Sequence, residues 1–153
     1  MTTPSIVPTK YAGDDGDFLI AKIDRSGALR MEYVSVSVPS GTATSTVVGL
    51  VPFRKGARFI QGATQLYVEN IGDGSFTFNV GYVYDDNTTY TNDDDAFASA
   101  LTTGQAGGLI TFDEHAGLSW VADADGWIVA TTGGSTTDNT GVIKGQACLA
   151  YDG

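Results

Sequence analysis

Cysteine and histidine occur once each, as Cys148 and His115. A single cysteine leaves no internal disulfide and no cysteine zinc cluster, and a single histidine leaves no histidine-rich metal site and no paired-histidine mechanism. Glutamate is nearly as scarce, at Glu32, Glu69 and Glu114. Lysine and arginine together number 8 against 18 aspartates and glutamates, a formal net charge of −10. That balance argues against a nucleic-acid partner, which needs a basic stripe to neutralise phosphates. No apolar run approaches the roughly 18 residues of a membrane-spanning helix. The opening stretch MTTPSIVPTKYAGDDGDF has no apolar signal core. Neither a membrane partner nor Sec export is therefore expected.

What remains is a chain of 153 residues, 42% hydrophobic and 17% charged, with 20 glycines and many threonines and serines. The length suits one domain, and the low charge separates it from highly charged disordered tails. Glycine breaks helices, whereas threonine and the aromatics favour strands. The expected fold is all-β: a jelly-roll or β-sandwich of about eight or nine strands, with one short helix and an extended N-terminal arm. Residues 1–17 form the expected arm, because Pro4 and Pro8 block regular pairing and Gly13-Asp14-Asp15-Gly16 signals a loop. Residues 18–153 form the expected sandwich.

Phe18–Ile23 reads as a first strand, followed by a turn at Asp24-Arg25-Ser26-Gly27. In Leu29–Val38, Val34, Val36 and Val38 alternate with serines, the period of a strand with one dry face. Thr46–Val51 reads as a strand that ends in a turn at Pro52-Phe53-Arg54-Lys55-Gly56. Arg58–Glu69 reads as one long strand with apolar groups on both faces. Gly72-Asp73-Gly74 signals a hairpin, and Ser75–Tyr84 places Phe76, Phe78, Val80, Tyr82 and Tyr84 on one face. Asp85–Asp95 is a polar loop whose last aspartate suits the cap of a short helix, Ala96–Leu101. Leu109–Phe112, Leu118–Ala122 and Trp127–Thr132 follow as strands, with a hairpin turn at Asp125-Gly126. After a polar loop at 133–140, Gly141–Tyr151 closes the chain.

The residues that carry chemistry elsewhere find no matching pattern here. Glu114-His115 has no second histidine at helical spacing, and Cys148 lies among apolar neighbours that suit packing. The aspartates of the 85–95 loop raise the question of calcium, which takes six to eight oxygen ligands. Tyr90 and Ala96 occupy the EF-hand positions for glycine and glutamate, so that motif fails, and a solvated loop is the stronger reading. Gly104, Gly107 and Gly108 precede no GK[ST], so they form no phosphate loop. Trp120 and Trp127 flank a turn, where they either close the end of the sandwich or stack on a sugar. No catalytic residue, metal or cofactor is expected, and the chain does not read as an enzyme. Arg54, Lys55 and Arg58 form a short basic patch suited to an acidic surface.

Several stretches taken together resemble a known group. They are Pro39-Ser40-Gly41, Gly49-Leu50-Val51-Pro52-Phe53-Arg54-Lys55-Gly56, Val80-Gly81-Tyr82-Val83-Tyr84-Asp85-Asp86-Asn87, Asp95-Ala96-Phe97-Ala98-Ser99-Ala100-Leu101-Thr102-Thr103, His115-Ala116-Gly117 and the glycine-containing closing strand. From about residue 38 onward the chain resembles the head decoration, or cement, proteins of tailed bacteriophages. The resemblance implies a homotrimer on the outer surface of the virion, assembled in the host cytoplasm. It would bind the major capsid protein at local three-fold positions and brace the shell against packaged DNA. It fixes no contact residues. The arm residues Pro4, Ile6, Val7, Lys10 and Tyr11, with Arg54, Lys55 and Arg58, are the expected contacts. The alternative is a carbohydrate-binding or receptor-binding sandwich of a phage fibre or secreted protein, using Trp120, Trp127 or the Tyr82–Tyr90 region.

Overall fold

Valine at every second position makes Leu29–Val38 a strand, β1, with Val34, Val36 and Val38 buried. The same logic repeats along the chain in a computed structural model that describes residues 4–8 and 29–151. The strands are β2 (Val47–Phe53), β3 (Ala57–Phe59), β4 (Gln65–Val68), β5 (Thr77–Tyr84), β6 (Asp93–Leu101), β7 (Gly108–Leu109), β8 (Gly126–Gly133) and β9 (Gly141–Tyr151). All their pairings are antiparallel. One sheet runs β1-β9-β4-β7, with β3 also on β9, and the other runs β2-β8-β5-β6. β3 and β4 share β9 as partner and form one strand interrupted by a 3-10 turn at Gln61–Ala63. Eight strands thus fall into two four-stranded sheets, the layout of a jelly roll.

The core lies between the sheets. Phe53, Phe76, Phe78, Phe97, Leu50, Leu66, Ile128 and Leu149 are its largest fully enclosed side chains. Each such burial contributes about 1.5–3 kcal/mol. At one end, rings bridge the two sheets: Phe59 of β3 lies 4.6 Å from Phe97 of β6, and Phe97 lies 5.5 Å from Trp120. At the other end, buried Thr137 ties the 134–140 loop to the β1–β2 connection. Its hydroxyl donates to the Pro39 carbonyl at 2.7 Å and accepts from the Thr42 N–H at 2.9 Å.

The structure corrects several expectations. Ala96–Leu101 is not a helix but the end of β6, and the described residues contain 3-10 turns and no α-helix. Six residues of good helix composition cannot offset the cost of nucleation, whereas β5 offers a hydrogen-bonding edge and a pocket for Phe97. The pairing is irregular: Phe78 faces Leu101, Val80 faces Ala98 and Tyr82 faces Asp93. Ala100 sits in this bulge at φ 50°, and its N–H donates to the Asn79 amide oxygen at 2.8 Å. Pro52 and Phe53 belong to β2, because an edge strand tolerates a residue without an N–H. Arg58–Glu69 is broken by the 3-10 turn, which brings Phe59, Leu66 and Val68 all to the core despite their mixed parity. Gly72-Asp73-Gly74 carries the chain between sheets and makes no hairpin, since β4 and β5 do not pair. Leu109–Phe112 shrinks to β7, Leu118–Ala122 is a 3-10 turn (His115–Ser119) and its exit, and Gly126 starts β8 without a hairpin. The expected strand Phe18–Ile23 and its turn lie outside the described residues.

Close packing of β5 on β6 depends on Gly81, where a Cβ would meet the backbone of Asp93 and Asp94. Gly81→Ala should therefore lower stability by about 1–3 kcal/mol in urea unfolding. Gly62→Ala, with open space around it, should stay within about 0.5 kcal/mol of the parent. Ala100→Gly should raise the midpoint, because glycine takes φ 50° without the roughly 1 kcal/mol steric cost of alanine.

Candidate interaction surfaces

The N-terminal segment lies on the edge of its own sheet. Ile6 bridges Val48 of β2 in parallel, the Ser5 N–H donates to the Val47 carbonyl at 2.9 Å, and the Gly49 N–H donates to the Ile6 carbonyl at 2.6 Å. Glycine at 49 makes room for this: a Cβ there would lie 2.9 Å from Pro4 and 3.0 Å from the Trp127 ring. Pro4, Ile6 and Val7 are half-buried. Lys10 and Tyr11 lie outside the described residues.

The basic trio is shared between a turn and a strand. Arg54 and Lys55 occupy the turn between β2 and β3, with Gly56 at φ 87° completing it. The half-buried Arg54 donates its backbone N–H to the Tyr151 hydroxyl at 3.3 Å. Lys55 donates its N–H to the Asp125 carboxylate at 2.9 Å and lines an open depression of ≈ 390 Å³ with Asp85, Asp86 and Asp123. Arg58 sits on β3, paired to Ala150, and points to the outer face of the first sheet. Lys55 thus shares the lining of this depression with acids of its own chain.

The aspartates of the 85–95 loop divide between two places. Asp85 and Asp86 join Asp123 and Asp125 around Lys55. Asp93, Asp94 and Asp95, all exposed, bring their carboxylates within 4.8 Å of one another at the start of β6. A hard divalent cation is the chemical class such oxygens fit. The Asp86 carboxylate accepts from the Thr88 hydroxyl at 2.6 Å and from the Thr88 and Thr89 N–H groups, which hold its pKa below the ordinary value. Partial burial in the depression and the charge of Asp125 push Asp85 up. Partial desolvation by its neighbours and the adjacent Asp95 carboxylate push Asp93 up as well.

Trp120 does not stand clear of the sandwich. Its ring stacks on Tyr82 at 4.7 Å and meets Phe53 edge-on at 5.1 Å, so it closes that end of the core. Burial pushes Tyr82 up to about 12. The half-buried Trp127 lies against Gly49 and Pro4 on the outside of the second sheet. His115 is exposed at the head of the 3-10 turn, and burial pushes the Cys148 thiol up.

One surface escaped the sequence reading. Leu29, Met31 and Tyr33 of β1, Tyr67 of β4 and Leu109 of β7 project from the outer face of the first sheet and are strongly exposed. The signal was in β1 itself: the positions that alternate with the buried valines include three large apolar residues where a solvated face would carry polar ones.

The two aspartates of the depression should respond to pH with opposite sign. Asp85, raised in the fold, adds stability only as pH falls through that raised value toward the ordinary 3.8. Asp86, lowered, contributes above 3.8 and loses its contribution as pH falls through its depressed value. Asp85→Asn should therefore raise the melting temperature at pH 7 and lose that advantage near pH 3.5, whereas Asp86→Asn should lower it at pH 7.

No family model matches the chain, and no curated protein matches it in sequence. Solved structures do. A chain of the cyanophage Pam1 capsid asymmetric unit is similar with a TM-score of 0.60 and 18% identity, covering 84% of this chain and 87% of that one. A chain of the capsid of Ralstonia phage GP4 is similar with a TM-score of 0.65 and 16% identity, covering 85% of this chain and 88% of that one. At such identities the likeness is one of fold, and it spans nearly the whole sandwich.

Proposed function

We propose that this protein is a non-enzymatic structural component of a tailed-phage virion, a decoration or cement protein. It would sit on the outer surface of the head as a homotrimer at local three-fold positions, grip the major capsid protein and brace the shell against the pressure of packaged DNA. The observation that carries this reading is the sharing of one jelly roll, over 84% and 85% of the chain, with chains from two phage capsids. The chemistry of the surface supports it. An exposed His115 on a turn and a buried Cys148 with a raised pKa lack the activated setting of a nucleophile and its base. Trp120 packs against the core, which removes one of the three platforms the sugar-stacking alternative would use.

The physics of the role is avidity. A trimer engages several subunits at once, so modest contacts add through high effective concentration. The net charge of −10 keeps such a protein from clumping at high local density.

Purified protein mixed with heads that lack it should co-sediment with them and raise the temperature at which they break open. A chain without residues 1–17 should bind more weakly while its sandwich still unfolds cooperatively. Failure of the full chain to bind any such head would overturn the proposal.

A further inference from the structure

The outer face of the β1-β9-β4-β7 sheet carries five of the six large apolar side chains that stay strongly exposed among the described residues: Leu29 (72%), Met31, Tyr33, Tyr67 and Leu109 (57%). The sixth, Leu118, borders Leu109 across an open depression of ≈ 500 Å³. Register places them there. Val34, Val36, Leu66, Val68, Ile143 and Leu149 point into the core, so the alternate positions point out. The β1 residues line one edge of the face. Tyr67 and Leu109 are cross-strand partners toward the other edge, with the Lys144 ammonium 5.9 Å from the Tyr67 ring.

Charge sets this face apart more sharply than apolarity does. Its outward strand positions are filled by Leu, Met, Tyr, Ser, Val, Gln, Cys and Ala, with Arg58 and Lys144 as the charged members. None of these strand positions is a carboxylate, in a chain with 18 acids and a net charge of −10, and Glu69, just past the end of β4, has its carboxylate accepting from the Val142 N–H at 2.8 Å. Two copies of so acidic a protein repel each other through most orientations. Here they can close without setting carboxylate against carboxylate, and apolar area is on hand to be buried. Four strands spaced about 4.8 Å apart and a ten-residue edge at about 3.3 Å per residue give a plan area of roughly 500 Å². With side-chain relief added, that approaches the roughly 800 Å² per partner of a standard interface.

We infer that this face is where one copy of the protein meets another. In a closed ring such as a trimer each copy presses one patch on a different patch of its neighbour, and a face without strand carboxylates can supply one side of that contact whatever acids lie on the other. The inference rests on the oligomer in the function proposed above, and on nothing in that proposal about the shell.

The test is the mass of the full chain in solution, without capsids, by sedimentation equilibrium. The parent should be oligomeric at concentrations of about 10–100 µM, and added salt should tighten the assembly by screening the net charge. The double variant Met31→Asp/Leu109→Asp, at exposed positions, should weaken association at least about tenfold. Asn87→Asp/Thr91→Asp, which adds the same two charges on an exposed loop of the other sheet, should leave it unchanged. Met31→Ser/Leu109→Ser should weaken it without adding charge, which covers the case in which the aspartates disturb the fold. A monomeric parent, or an oligomer unmoved by both double variants, would overturn the inference. Loss of head binding by the double variants of a monomeric parent would also overturn it, assigning the face to the shell and leaving the proposed function standing.

Discussion

Strand β9 holds the first sheet together, and its register decides what both faces of that sheet can do. Along Gly141–Tyr151 it pairs with β1 over ten residues, with β4 over four and with β3 over three. Its odd positions Ile143, Ala147, Leu149 and Tyr151 enter the core, and its even positions look outward. A slip of one residue would turn the core set out and the polar set in, so the buried side chains fix the pairing strongly. Because β9 is the last strand, the sheet cannot be completed until residues more than a hundred positions apart have met. Such non-local pairing is slow to form.

The second sheet is locked to the first by rings. Phe59, Phe97, Tyr82, Trp120 and Phe53 form a connected set with centroids between 4.6 and 6.1 Å apart, and it draws members from β2, β3, β5 and β6. Edge-on and offset pairs of this kind add about 0.5–1.5 kcal/mol each beyond the area they bury. These five rings are consumed in building the body, and exposed apolar side chains, Tyr33 and Tyr67 among them, lie on the outer surface of the first sheet.

Strands with clean alternation were legible in the sequence. Leu29–Val38 and Gly141–Tyr151 have the boundaries that period-two patterning gives them, and Trp127–Thr132 and Ser75–Tyr84 differ from β8 and β5 by one or two residues. The misreadings share a cause: local propensity yielded to the needs of a neighbouring strand. Ala96–Leu101 has helical composition but fills the open edge of β5, and Pro52 looks like a turn but lies on a sheet edge. The 3-10 turn at Gln61–Ala63 has no periodicity to betray it. Among site residues, Arg54, Lys55 and Arg58 are neighbours in sequence, but the turn ties the Lys55 backbone N–H to the Asp125 carboxylate while β3 carries Arg58 to the outer face. The apolar outer face was missed because only the buried half of β1 was weighed.

As proposed, this jelly roll would act by adhering to a phage head and to its own copies. Electron cryo-microscopy of intact particles containing the chain tests it most directly. The expected result is sandwich-shaped density repeated over the outside of the shell, bridging neighbouring capsid subunits, with the β1-β9-β4-β7 face turned toward another copy. Heads bare of such density, with the protein found at a single tail site or outside the particle, would contradict it.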